Sequence, residues 1–247
     1  MDEKLTLYSQ RSIIEKRMEM IRMKRKLYHG SQNIIEKPIW GYGKKYNDYG
    51  LGFYCTENID MAKEWGVFER KDGYANCYEL ECDGLHILDL NSEGYCILHW
   101  LSILLQNREF DILGGLALEA REYLLKNFSV DYENFDAIIG YRADDSYFSF
   151  AQDFVAGAIS YRQLGEAMKL GSLGEQIVLI SEKAFDRIKY VSNSPADASV
   201  YYKKKKERDR LARKAYRNTK SEALTADELL IVDIIREGMT QNDERLR

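Results

Sequence analysis

Apolar and polar positions change period several times along this chain, and the changes divide it into elements. Over residues 5–26, Leu5, Ile13, Ile14, Met18 and Ile21 recur among charges at helical spacing, which predicts an N-terminal amphipathic helix. Lys26–Gly30 reads as a short strand, ended by Gly30 and Ser31. The stretch 38–52 holds Pro38, Gly41, Gly43, Gly50 and Gly52 among tyrosines, so a loop feeds the strand Gly52–Cys55. Thr56 is placed to cap a helix over Ile59–Gly66. Tyr74–Glu81 and Leu85–Leu90 read as strands separated by the turn Cys82-Asp83-Gly84.

Helical spacing returns over 95–106 and 115–127, and the apolar run Phe135–Tyr141 predicts a short buried strand. Helices are expected over 147–157 and 160–169, then a turn at Gly171–Gly174 and a strand at Glu175–Ile180. Ser181 is placed to cap a short helix, Glu182–Ile188, with Lys189–Ser192 as a last strand. From about 195 the chain is helical and polar, over 197–220 and again over 225–237, where Leu229, Leu230, Val232, Ile234 and Ile235 form an apolar stripe. Strands and helices mix without strict alternation, so the expected class is α+β rather than a doubly wound parallel sheet. Three regions follow: an N-terminal helix over 1–26, a central domain over 27–194, and a basic helical extension over 195–247.

Composition adds limits. The 247 residues are 45% hydrophobic and 31% charged, as in an ordinary globular protein. Two prolines against eighteen tyrosines argue against long linkers and for an aromatic-lined surface or cleft. The net charge of −4 is uneven: residues 203–220 hold ten Lys or Arg and two acids, so this segment is +8 and the remainder −12. No apolar run approaches the roughly 18 residues of a membrane span, and no signal peptide is recognisable, so the cytoplasm is the expected compartment. The four cysteines lack a CxxC spacing and are expected to be reduced. The three histidines do not cluster with them, so no metal is expected.

Four short segments carry the candidate chemistry. They are Tyr28-His29-Gly30-Ser31, Gly50-Leu51-Gly52-Phe53-Tyr54-Cys55-Thr56, Trp65 eleven residues after Tyr54, and Gly174-Glu175-Gln176-Ile177-Val178-Leu179. In this order they resemble the ADP-ribosyltransferase-fold superfamily, in the branch of diphtheria toxin and the poly-ADP-ribose polymerases. Within it the chain is most similar to the bacterial DUF3990 group, also at Arg142–Phe148 and at the terminal Asn242–Arg247. The resemblance implies a split, mixed sheet that grips the nicotinamide end of NAD, the substrate. It assigns His29, Gly30, Ser31, Tyr54 and Trp65 to binding: His29 to the ribose, the Gly30 backbone to the nicotinamide amide, Tyr54 and Trp65 to its ring. Glu175 or Gln176 would support the transition state, with His29 as a further catalytic candidate. Adjacent strand residues face opposite ways, so one of the pair enters the site. Ala62 stands near where the polymerases carry a serine.

The implied activity is mono-ADP-ribosyl transfer to a protein or nucleic-acid acceptor, or NAD hydrolysis without one. The alternative is a catalytically weakened nucleotide-binding module acting through partners. Basic residues 203–220 lie on most sides of their helix, and docking or solvation is expected before an acidic or nucleic-acid partner. Asp144 and Asp145 read as a helix cap, and His86 and His99 as structural.

Overall fold

A computed structural model describes residues 24–112, 114–143, 145–170 and 174–246. Residues 5–23 of the expected N-terminal helix and most of the 171–174 turn lie outside these, as does Asp144, and the Asp145 side chain lies outside them too; Lys24–Lys26, expected to end that helix, instead begin the first strand.

Two sheets make the frame, and the fold is α+β. The first is three-stranded and antiparallel, with β1 (Lys24–Ser31) and β7 (Ile188–Ala196) flanking β3 (Gly73–Glu81). The second is mixed, in the order β2 (Phe53–Cys55), β6 (Glu175–Leu179), β5 (Ala137–Tyr141), β4 (Ile87–Asp89); only β4 and β5 run parallel. Alternation along each strand sorts the apolar residues. Leu27, Tyr78 and Leu80 of the first sheet share one core with Phe53, Cys55, Ala137, Ile139, Ile177 and Leu179 of the second. The other face of the second sheet, Leu88, Ile138 and Val178, packs into a larger core with the helices.

Between the strands run α1 (Ile59–Gly66), α2 (Ile97–Asn107), α3 (Gly115–Asn127), α4 (Asp145–Val155), α5 (Tyr161–Ala167) and α6 (Glu182–Asp186). The α1 bounds match the pattern, but its cap is Asn58, whose Oδ1 accepts from Asp60 and Met61 N–H. Thr56, expected there, accepts from Asn58 N–H instead. Ser181 caps α6 as its position predicts, accepting from Ala184 N–H at 3.1 Å. His99 is buried and held by Cys96 N–H and Gln241, in keeping with a structural role. The four cysteines are free thiols.

The basic segment forms α7 (Ala198–Ser221), followed by α8 (Ile231–Arg236), shorter than the apolar stripe suggests. Ala212 and Tyr216 are buried on the inner face of α7. There Arg208 pairs with Glu64, and Tyr216 Oη and Lys220 Nζ reach Asp153 at 2.5 and 2.7 Å. The opposite face carries exposed Lys203, Lys206, Arg210, Lys214 and Arg217 at helical spacing. Lys204 and Arg213 are exposed off that stripe, so charge lies on most sides of the helix, as the sequence suggested, with one side docked. Tyr216, Ile231, Ile234, Met239 and Leu246 all join the larger core.

Helix α1 lies so close on β1 that a Cβ added at Gly30 would sit 1.9 Å from Ala62 O and 2.8 Å from Gly66 N. These are backbone atoms, so relief requires moving the helix. Gly30→Ala is therefore expected to destabilise the fold by at least the ~1–3 kcal/mol of ordinary overpacking. Gly94→Ala, whose Cβ would meet nothing within 4 Å, is the neutral control. Denaturant melts decide; equal stability of the two variants would show that α1 does not depend on this contact.

Candidate functional site

Beyond the shared core, the backbones of the two sheets pair where β1 meets β2. Tyr28 and Thr56 exchange backbone hydrogen bonds of 2.8 and 2.9 Å as an isolated bridge. Past the bridge the strands part, and no further pairing joins them among the described residues. Backbone groups alternate sides along a strand. Since the N–H and C=O of Tyr28 face β2, those of Gly30 face the same edge, opposite Tyr54 and inside the split. The missing Cβ of Gly30 admits helix α1, whereas its polar edge is what the split presents.

His29 beside it is fixed in one form. Its Nδ1 lies 2.7 Å from Tyr54 O, and a carbonyl only accepts, so Nδ1 carries the proton and Nε2 keeps its lone pair. The ring stacks on Phe53 with centroids 4.4 Å apart and 25° between planes. Burial lowers the His29 pKa below its ordinary 6.5, outweighing the Tyr54 carbonyl, which acts the other way. The imidazole is thus a neutral acceptor at pH 7.

Tyr54 contributes more than a ring. Its hydroxyl donates to Gly50 O at 2.7 Å and accepts from Tyr49 N–H at 3.1 Å, tying the preceding loop to β2. Gly50 has a φ of +70°, the left-handed turn that glycine adopts without strain. Trp65 packs against the larger core, with the Arg142 guanidinium 4.2 Å over its ring. Its indole N–H is buried without a partner among the described residues. Ser31 is occupied: its hydroxyl donates to Asn33 O at 2.5 Å and accepts from Asn76 at 3.0 Å.

The Glu175–Gln176 pair separates cleanly. Tyr54 pairs with Val178 and Cys55 with Ile177, so alternation puts Gln176 on the Tyr54 face and Glu175 on the face of Ile177 and Phe53. That second face is the one on which His29 stacks. Gln176 is buried, and both its amide hydrogens are spent, on Asp48 at 3.0 Å and Tyr141 O at 3.1 Å. Glu175 is exposed at the strand end, where its Oε1 accepts from Asn91 at 2.8 Å.

Two organising residues escape a reading of motifs. Asp48 is buried and accepts from Arg108 at 2.8 Å, Ala143 N–H at 2.9 Å and Gln176. Burial pushes its pKa up, while Ala143, Gln176 and Arg108 oppose; all three of these partners donate, so the carboxylate is the form that fits. Asn76, fully buried in β3, donates to His29 O, Ser31 Oγ and Asn33 O and accepts from Ile35 N–H. It shapes the chain leaving His29. The signal was there as one amide in the apolar run Tyr74-Ala75-Asn76-Cys77-Tyr78.

A separate concavity of about 430 Å³ is lined by Tyr95, Tyr141, Tyr161, Arg162 and Lys169. It includes neither His29 nor Tyr54, and the backbone geometry at the split is the stronger guide to chemistry. No metal-holding group of three His, Cys, Asp or Glu occurs among the described residues, and none of their helices is long and apolar enough to cross a membrane. The family DUF3990, described as a protein of unknown function, matches residues 25–190. Curated proteins and solved structures gave no match.

Proposed function

This chain belongs to the DUF3990 family, and we propose that it is an NAD-dependent mono-ADP-ribosyltransferase on an ADP-ribosyltransferase-like core, or an NAD glycohydrolase where water is the acceptor. The observation that carries the reading is the parting of β1 and β2 after one bridge, which leaves the polar edge of Gly30 beside a neutral His29. An amide recognised by a strand edge needs one donor and one acceptor side by side, and Gly30 offers both. Trp65 packs against Gly30, and Tyr54 stands across the split on β2; both rings would supply the aromatic surface.

In the reaction the bond from ribose C1′ to the nicotinamide nitrogen breaks, both electrons leaving with nicotinamide. An acceptor oxygen or nitrogen bonds to C1′ and gives up its proton. Positive charge on the ribose rises between the two events, and a carboxylate near it lowers the barrier. Glu175 fits this role, being anionic and on the His29 face; Gln176 supplies no charge and is already bonded. His29 Nε2 accepts from a ribose hydroxyl. The test is incubation of the full chain with labelled NAD and cell lysate; if neither nicotinamide release nor label transfer occurs, the reading fails.

The state of His29 gives a pH signature. Its lowered pKa keeps Nε2 unprotonated above about pH 6.5, so NAD affinity should be level there and fall as acid takes the lone pair. Calorimetric titration should show level affinity in the parent from about pH 8 down to 6.5 and a fall only in more acid solution, while His29→Ala should be weak and flat. A parent whose affinity already falls between about pH 8 and 7 would contradict the neutral His29 acceptor.

One observation favours a second reading. Arg142 covers the Trp65 ring that a nicotinamide would stack on. A module that binds NAD without turnover would give a calorimetric signal and no nicotinamide.

A further inference from the structure

The segment between β1 and β2 exposes aromatic rings to an unusual degree. Trp40 is 53% exposed, Tyr42 81% and Tyr46 72%, and Lys37, Lys44 and Lys45 stand exposed among them. Soluble proteins place single apolar residues on the surface freely, but three large rings within seven residues form a patch. None of these lysines pairs with an acid among the described residues.

The segment is also held in shape. At its start Ile35 N–H bonds Asn76, and Ile35 O accepts from Tyr78. Within it Tyr42 N–H bonds Ile39 O at 3.2 Å and Asn47 reaches Lys44 O at 2.9 Å. At its end Asp48 and Tyr49 are buried and bonded to Arg108 and Tyr141 O. The rings are therefore displayed on an anchored loop. Trp40 Nε1 reaches Ile180 O, long at 3.4 Å, one residue past Leu179, which pairs with Phe53 under the His29 ring. The loop borders the C-terminal end of β6, beside Phe53 and the His29 ring and at the opposite end of the strand from Glu175.

We propose that this loop is a binding platform for single-stranded nucleic acid. Bases stack on Trp40, Tyr42 and Tyr46, and Lys37, Lys44 and Lys45 take the flanking phosphates. Aromatic faces accept any base but need it unpaired, which selects a single strand over a duplex. Charge complementarity favours a polyanion. A membrane-inserting tip is disfavoured, since Ile34 and Ile39 are the segment's two exposed aliphatic residues and lysines interrupt the rings. That a strand held here is the ADP-ribose acceptor rests on the function proposed above; the binding itself does not.

The test is fluorescence anisotropy of the full chain with labelled oligo-dT and oligo-U, without NAD, at about 50–200 mM salt. The parent should bind single strands better than the matching duplex. Replacing the three aromatics with Ala should weaken binding at least about fivefold for each ring engaged. Lys44→Ala with Lys45→Ala should lower the salt slope by about 1.4, two phosphates at ~0.7 each. All these side chains are exposed, so folding is preserved and circular dichroism verifies it.

The idea is overturned if the parent binds no oligonucleotide at the lowest salt, or if anionic vesicles bind and oligonucleotides do not. It is equally overturned if the aromatic variant binds as the parent does while substitution of Lys203, Lys206 and Lys214 on α7 abolishes binding. Binding without nicotinamide release would leave the platform standing and remove the transferase reading. Release without oligonucleotide binding would do the reverse.

Discussion

Glu175→Gln should lower nicotinamide release about 10²–10³-fold, the loss seen when one group aimed at transition-state charge is removed. The substitution keeps shape and removes only charge. The Asn91 amide that now donates to Glu175 at 2.8 Å can donate to the glutamine oxygen as well, so the strand end stays in place. Melting temperature and NAD affinity should therefore be near those of the parent.

Gln176→Ala should behave in the opposite way. It deletes two buried hydrogen bonds, one of them to the Asp48 carboxylate, where such bonds to charged groups are worth about 1.5–3 kcal/mol. Its main effect should be a lower melting temperature, with residual activity in proportion to folded protein. Single-turnover rates and melts on both variants separate the roles. Should Glu175→Gln turn over within a fewfold of the parent, the carboxylate is not the charge stabiliser.

The neighbouring residues show what a sequence can and cannot disclose. The bounds of α1 and the strands around His29, Tyr54 and Glu175 were legible, because period and breakers act over a few residues. So was the separation of Glu175 from Gln176 onto two faces. Which face belongs to His29 was not legible, since that depends on Tyr54 pairing with Val178 across more than a hundred residues. Separations of 60, 95 and 128 residues hide Asp48, whose partners Arg108, Ala143 and Gln176 come from three separate elements or loops. The spread of charge around α7 lay nearer to hand, and only the position of the docked face, set by Glu64 and Asp153, had to come from the structure. Ser31 illustrates the converse: a hydroxyl placed by motif beside a ligand is spent on the loop that Asn76 shapes.

Asp48→Asn should be among the most destabilising single changes in the chain. The carboxylate receives a guanidinium, a backbone N–H and an amide N–H, and an asparagine can present only one oxygen to these three donors. Its own NH₂ would then face another donor. Breaking a buried ion pair by removing one charge typically costs about 3–5 kcal/mol, because the partner is left uncompensated. Arg108 keeps some access to water, which tempers the cost toward the lower figure. For a domain of this size the loss corresponds to a fall of roughly 6–20 °C in melting temperature. The consequence for function follows from connectivity. Asp48 and Tyr49 anchor the end of the exposed aromatic loop, and Tyr54 Oη is bonded to Tyr49 N–H and Gly50 O. Below its melting point the variant should therefore bind NAD more weakly than the parent, with oligonucleotide binding weakened alongside it. A double-mutant cycle with Arg108→Ala should show coupling between the two positions. If Asp48→Asn melts within about 1–2 °C of the parent, less than 1 kcal/mol at this size, Asp48 does not hold the loop and the anchored platform loses its foundation.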